Sequence, residues 1–188
     1  MTFPHPHLIR WLAAVKQGNL AAAPAEGQYG YVADPFNPQA LQNILNAKQR
    51  KADKGFIVLI SSWSHLDLLC PPLPPAIKTT LREVWPCPPE KAVTVLLPAK
   101  PGLPPLLTGG GDTIAVRFPA TSYMQAYLEG WAAISPGPLV STSLNLSGQP
   151  PATSAEDIPT GVTTLALPQP LTGPASRIWD LKNNSWLR

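Results

Sequence analysis

Residues 139–151 read Leu139-Val140-Ser141-Thr142-Ser143-Leu144-Asn145-Leu146-Ser147-Gly148-Gln149-Pro150-Pro151. In an extended chain side chains alternate, so Ser141, Ser143 and Asn145 fall on one face and Val140, Thr142, Leu144 and Leu146 on the other. One face packs. The other offers small hydrogen-bonding groups in a row, as a strand running into a polar ligand pocket would. The same row also fits local turn chemistry, because Ser and Asn bond their own backbone near strand ends. Taken alone, the stretch favours the turn.

Working outward, 188 residues suit a single domain over 1–188, and 44% hydrophobic with 13% charged residues describes a folded globular chain. The 25 prolines cluster at 71–75, 86–89, 101–105 and 168–174, between apolar runs, and read as rigid loops. Net charge is only +3, yet Lys48, Arg50, Lys51 and Lys54 fall within seven positions. Such a patch suits phosphate or nucleic acid, although a single charge run is more commonly a solvated helix end. Cys70 and Cys87 give neither metal spacing nor a disulfide framework, which fits a reducing cytoplasm. No apolar run reaches membrane-spanning length and the N-terminus lacks a signal-peptide pattern, so a cytoplasmic protein with no membrane contact is expected. That leaves the sequon at Asn145-Leu146-Ser147 without meaning.

Helical spacing predicts helices over 7–17, from the Asn37-Pro38 cap to Lys48, around 64–69, over 76–84, and from Thr121 or Ser122 through Trp131. Strands are expected at 19–23, 55–60, 92–97, 113–118, 139–143, 162–167 and 177–181. The mixture argues an α/β or α+β fold in which helices flank a twisted, open, mixed sheet.

In an extended segment Lys48 and Arg50 point the same way, so two positive charges could converge on a triphosphate. Walker and Gly-x-Gly-x-x-Gly loops are absent, leaving side-chain cations and hydroxyls to hold phosphates. Arg117, at a strand end, is a further cation where ligands often sit on open sheets, or else a surface arginine pairing with Asp112. Glu26 could act as a base or ligand, but a single acid near a turn is usually solvated. His5 and His7 make an incomplete metal site, His65 caps or borders a helix, and no nucleophilic triad stands out. No metal ligands are assigned.

In order, Pro24-Ala25-Glu26, Tyr29-Gly30, Asp34-Pro35, Lys48-Gln49-Arg50, Asp53-Lys54-Gly55, Trp85-Pro86, Ala115-Val116-Arg117 and Ser141 through Gly148 resemble the YrdC family, from about Ala22 to the C-terminus. Members of that family are threonylcarbamoyl-adenylate synthases. The resemblance implies a concave basic groove on a YrdC-like sheet. It also implies a reaction in which L-threonine, bicarbonate and ATP give threonylcarbamoyl-adenylate and pyrophosphate. Magnesium is a possible companion of ATP. A downstream transferase complex then modifies tRNA, and contact with tRNA or double-stranded RNA is possible. On this model Lys48, Arg50, Ser143 and Asn145 bind phosphates, with Lys48 and Arg50 stabilising the departing pyrophosphate. Lys54 and Ser141 lie nearby, Arg188 closes over the nucleotide, and Arg117 holds the threonine carboxylate beside Glu26 and Ala25. The competing function is a diverged, non-catalytic RNA-binding module of the same fold. A carbamoyl-transfer domain of the hydrogenase-maturation kind is disfavoured, since its accompanying zinc-finger and acylphosphatase regions are missing.

Two departures fall on the amino-acid side. Where the family has Pro-Thr-Glu, Ala25 offers no hydroxyl, and the usual Trp-Pro-Gly-Pro reads Trp85-Pro86-Cys87-Pro88.

Overall fold

In the computed structural model, which describes residues 3–135 and 137–187, helices begin where the sequence places proline. Pro6 lies in the first turn of α1 (His5–Lys16), while Pro38, Pro75 and Pro105 open α2 (Pro38–Lys48), α4 (Pro75–Val84) and α5 (Pro105–Thr108). A first-turn amide has no intrahelical acceptor, so proline loses nothing there. Asn37 caps α2 by accepting from the Ala40 amide at 3.1 Å. The remaining helices are α3 (Leu66–Leu69) and α6 (Ser122–Ala132).

The strands are β1 (Ala21–Pro24), β2 (Tyr29–Ala33), β3 (Ile57–Leu59), β4 (Val93–Pro98), β5 (Thr113–Arg117), β6 (Leu139–Ser143), β7 (Thr163–Thr164), β8 (Arg177–Asp180) and β9 (Ser185–Trp186). They join one mixed sheet in the order β7-β1-β2-β6-β3-β5-β4-β8-β9. The pairs β1–β7, β3–β5 and β4–β8 are parallel and the other five antiparallel. Leu139 and Val32 belong to the apolar cluster under α1 and α6, and Val140 and Tyr31 to the one under α2. The sheet is thus covered on both sides, and the polar groups of β6 emerge only toward its C-terminal end.

Glu26, just past β1, and Arg117, at the end of β5, meet in an ion pair. Four strand spacings of about 4.8 Å would put β1 about 19 Å from β5 in a flat sheet. The sheet therefore curls at this end and brings the ends of β1 and β5 together.

Several expected elements differ. The strand at 162–167 shortens to Thr163–Thr164, and 55–60 to Ile57–Leu59. The 64–69 helix divides into a 3-10 turn (Trp63–His65), capped by Ser62, and α3, which His65 borders at its N-terminus, as expected, without a side-chain cap bond. β2, β9 and α5 arise where no element was expected. Among the described residues no helix is long and apolar enough to cross a membrane.

Candidate functional site

Lys48 is the last residue of α2 and only 3% exposed, so the solvated helix end is not what forms. Its ammonium donates to Asn145 Oδ1 at 2.6 Å, to the Asn145 carbonyl at 3.2 Å, to Ser143 Oγ at 3.3 Å and to the Ser143 carbonyl. Ser143 Oγ in turn donates to Asn145 Oδ1 at 2.7 Å, and the Asn145 amide donates to the Gln149 carbonyl at 2.5 Å. Every partner of the lysine is neutral. Burial, then the neighbouring Arg50 charge, lowers its pKa from 10.5 to about 8.

The expectation that Lys48 and Arg50 share an extended segment is corrected. Gln49 takes a left-handed conformation (φ 48°) that ends the helix between them. Arg50 is thereby turned along β6. It donates from one guanidinium nitrogen to Thr142 Oγ1 at 3.2 Å and from the other to the Lys54 and Gly55 carbonyls, both at 2.8 Å. The guanidinium lies 5.6 Å from the Phe56 ring centroid, and burial lowers its pKa. Among the described residues neither Lys48 nor Arg50 forms an ion pair, and Arg50 Nε has no hydrogen-bond partner. Lys54 enters through its carbonyl while its side chain is exposed. A cleft of about 460 Å³ bordered by Tyr31, Ala47, Leu144, Asn145, Pro151 and Asp157 opens beside this cluster.

Arg117 pairs with Glu26 rather than with Asp112, which lies 3.8 Å from Lys182 on the surface. Both Arg117 and Glu26 are 6% exposed, so Glu26 is not the solvated acid its turn position suggested. Thr121 donates to Glu26 Oε1 at 3.1 Å instead of capping α6. Tyr123, whose pKa burial and then the Glu26 charge push up to about 12, donates to the Ala25 carbonyl at 3.5 Å. Tyr127, raised well above its ordinary value by burial, donates to the Pro24 carbonyl at 3.3 Å and fixes the end of β1. Arg117 Nε finds no hydrogen-bond partner among the described residues.

Glu26, Arg117, Ala25, Ser141 and Ser143 line a cavity of about 50 Å³, with Pro174, Ala175 and Ser176 along one side. That strap presses on the β1–β2 turn so closely that a Cβ at Gly27 would stand 1.8 Å from the Gly173 carbonyl oxygen. Glycine is required there. Ser143 belongs both to this cavity and to the Lys48 cluster, so the two cationic centres meet along β6. Thr121, Tyr123 and Ser176 carry no motif signal and emerge only from the fold. His5 and His7 are exposed on α1, and His65 is buried with Nδ1 unbonded among the described residues. No group of three His, Cys, Asp or Glu among the described residues gathers to hold a metal. Arg188 lies outside the described residues.

The Sua5_yciO_yrdC family model, described as Telomere recombination, matches residues 13–181. A protein of Alkalilimnicola ehrlichii named threonylcarbamoyl-AMP synthase is 37% identical over 180 residues, covering 94% of this chain and 88% of that one. A Pyrococcus abyssi protein of the same name is 34% identical over 144 residues, covering 77% of this chain but only 40% of its own length. The crystal structure of P. abyssi Sua5 complexed with L-threonine superposes with a TM-score of 0.76 at 30% identity, covering 94% of this chain and 51% of that one. Against the Pyrococcus relative, then, the chain spans about half the length or less.

Proposed function

This chain belongs to the Sua5/YciO/YrdC family, and from that membership we propose that it is a threonylcarbamoyl-adenylate synthase, an enzyme joining L-threonine, bicarbonate and ATP with release of pyrophosphate. The observation that carries this reading is Ser143, which touches an uncompensated lysine on one side and the Arg117–Glu26 cavity on the other. Triphosphate needs surplus positive charge, and among the described residues Lys48 forms no ion pair. An α-amino acid needs both signs, and Arg117 with Glu26 supplies them. The α-phosphate and the amine would then meet at Ser143.

Arg117 leaves Glu26 to take the substrate carboxylate, which opens a cavity of about 50 Å³ that is too tight for an amino acid as it stands. The threonine amine and bicarbonate lose water to form a carbamate, and exclusion of solvent by the strap at 173–176 preserves it. A carbamate oxygen attacks the α-phosphate. Lys48 and Arg50, with Ser143 and Asn145, hold the phosphates and stabilise charge on the leaving pyrophosphate, while Ser141 and Lys54 stand nearby. The nucleoside end occupies the cleft of about 460 Å³ that shares Asn145 with the phosphate cluster. Magnesium would travel with the phosphates as part of the nucleotide substrate. The adenylate passes to a transferase acting on tRNA in the cytoplasm.

Support for the synthase over an RNA-binding module comes from where the cations sit. RNA binding calls for exposed cations with open aromatic platforms. Here Lys48 is buried beside the end of β6 among neutral acceptors, where a single ligand anion rather than an extended strand would reach it. Incubation with ATP, bicarbonate and threonine tests the proposal. Pyrophosphate and an adenylate of threonylcarbamoyl mass are expected, both vanishing when any one substrate is withheld. RNA binding without pyrophosphate release would favour the module.

A further inference from the structure

Helix α6 and the residue that precedes it hold three successive residues at the end of β1. Tyr127 donates to the Pro24 carbonyl at 3.3 Å, Tyr123 to the Ala25 carbonyl at 3.5 Å, and Thr121 to Glu26 Oε1 at 3.1 Å. The third grips a side chain rather than backbone. Thr121 occupies the N-cap position of α6, where a threonine oxygen ordinarily accepts from a first-turn amide, yet it makes no cap bond. The helix forgoes that stabilisation, and the hydroxyl goes to the acid.

Glu26 divides its two oxygens between two partners, Oε2 to Arg117 and Oε1 to Thr121, with its side chain only 1% exposed. On the synthase reading Arg117 turns to the substrate carboxylate, and Glu26 loses the one ion pair it forms among the described residues. A buried carboxylate that loses its counter-charge either follows the cation or is held by another donor. The other titratable groups packed around it do not take over. Tyr123 and Tyr127, both raised by burial and then by the Glu26 charge, spend their hydroxyls on the Ala25 and Pro24 carbonyls, and the Tyr29 hydroxyl accepts from the Leu167 amide. Thr121 is the donor that stays.

We propose that Thr121 is a positioning residue for the amine step: it holds Glu26 while Arg117 changes partners, so that the oxygen Arg117 vacates faces the substrate ammonium. The inference rests on the synthase reading and deepens it at the amino-acid end. The ammonium proton passes to Oε2, and the freed amine lone pair forms the N–C bond to the bicarbonate carbon. The bicarbonate C–OH bond breaks, and the hydroxide leaves as water with one amine proton. Glu26 returns its proton to solvent at the end of turnover, so no further reactant is needed.

Thr121→Val keeps the shape of the side chain and removes the donor, and Thr121→Ala removes it without setting a methyl against the carboxylate. Pyrophosphate release with threonine varied at saturating ATP and bicarbonate should show kcat lowered about tenfold or more in both. The Michaelis constants for threonine and ATP should stay within about threefold, because Arg117 still takes the carboxylate. Thr121→Ser, which keeps the hydroxyl, should hold kcat within a few-fold of wild type. The deficit should also narrow as pH rises from 7 to about 9, since solvent then supplies free amine without Glu26. An unchanged kcat in the valine and alanine variants overturns the inference. So does a loss confined to the Michaelis constant, or one that serine does not restore and that stays constant with pH, which would leave Thr121 a support of the fold alone. Pyrophosphate release by none of the proteins, wild type included, overturns the synthase reading and this inference with it.

Discussion

The two cationic ends of the groove are built in opposite ways. At one end Lys48 and Arg50 bond hydroxyls, amides and carbonyls, and among the described residues neither enters an ion pair, although the exposed Asp53 charge is felt by Arg50. At the other, Arg117 is locked to a buried acid and a threonine hydroxyl holds that acid in place. The first end carries surplus charge before any ligand arrives and is ready for an anion. The second is neutral as a unit, so a carboxylate would enter it only by exchanging partners. On the proposed synthase reading ligand charge accounts for the difference, since a triphosphate brings several negative charges and a zwitterion none net.

Removing an acid and removing an uncompensated base should therefore act differently on the fold. Glu26→Ala strands a buried guanidinium and should cost about 3–5 kcal/mol in urea unfolding. Lys48→Met leaves only neutral acceptors without a donor and should cost about 1–3 kcal/mol. Equal losses would erase the contrast.

A pH series sharpens the same comparison. Lys48 loses its proton near pH 8, because burial and Arg50 disfavour the charge. Above that pH the free enzyme loses phosphate-binding charge, so kcat/KM for ATP should fall, by up to about tenfold per unit. Lys48→Arg should remove that fall. Folding stability should move the other way. The folded lysine releases its proton at about 8 and the unfolded one near 10.5, so the unfolded chain binds more protons between them and stability rises with pH across that window. An ATP profile flat to pH 9.5 would mean that Lys48 does not meet the phosphates.

The smallest expected effect lies at the amino-acid end. Ala25→Thr should lower the Michaelis constant for threonine about fivefold and leave that for ATP unchanged, as one neutral hydrogen bond is worth about 1 kcal/mol. Steady-state kinetics with threonine varied would show it, and a parallel change for ATP would break the separation of the two ends.

What the sequence reveals of this site follows contact range. The Ser141 and Ser143 row and the Lys48–Arg50 pair are local patterns, and β6 forms over Leu139–Ser143 as its alternation predicts. The curl that pairs Glu26 with Arg117 joins residues 91 positions apart and leaves no periodic trace. β2 escapes for a different reason. All five of its residues are buried, so it lacks alternation, and Gly30 reads as a turn although the close approach of Ser141 is what excludes a side chain. The strand expected at 162–167 has the right composition, but β1 offers it only a short edge, where the Leu20 and Ala22 carbonyls accept from Thr163 and Leu165. Gln49 is the least readable feature, since left-handed backbone at a glutamine has no sequence signature, yet it sets Lys48 and Arg50 on separate partners along β6.

The division of labour between the two ends is tested most directly by titrating ATP and threonine, each separately by calorimetry, into two variants. Lys48→Met removes the surplus charge, and the double variant Glu26→Gln with Arg117→Met removes the neutral pair without stranding either partner. The first should lose ATP affinity by about thirtyfold or more and keep threonine within a few-fold, because a charge-assisted phosphate contact is worth about 2 kcal/mol or more. The second should lose threonine and keep ATP. Undiminished ATP binding in the Lys48 variant, or equal loss of both ligands in both proteins, would contradict the account.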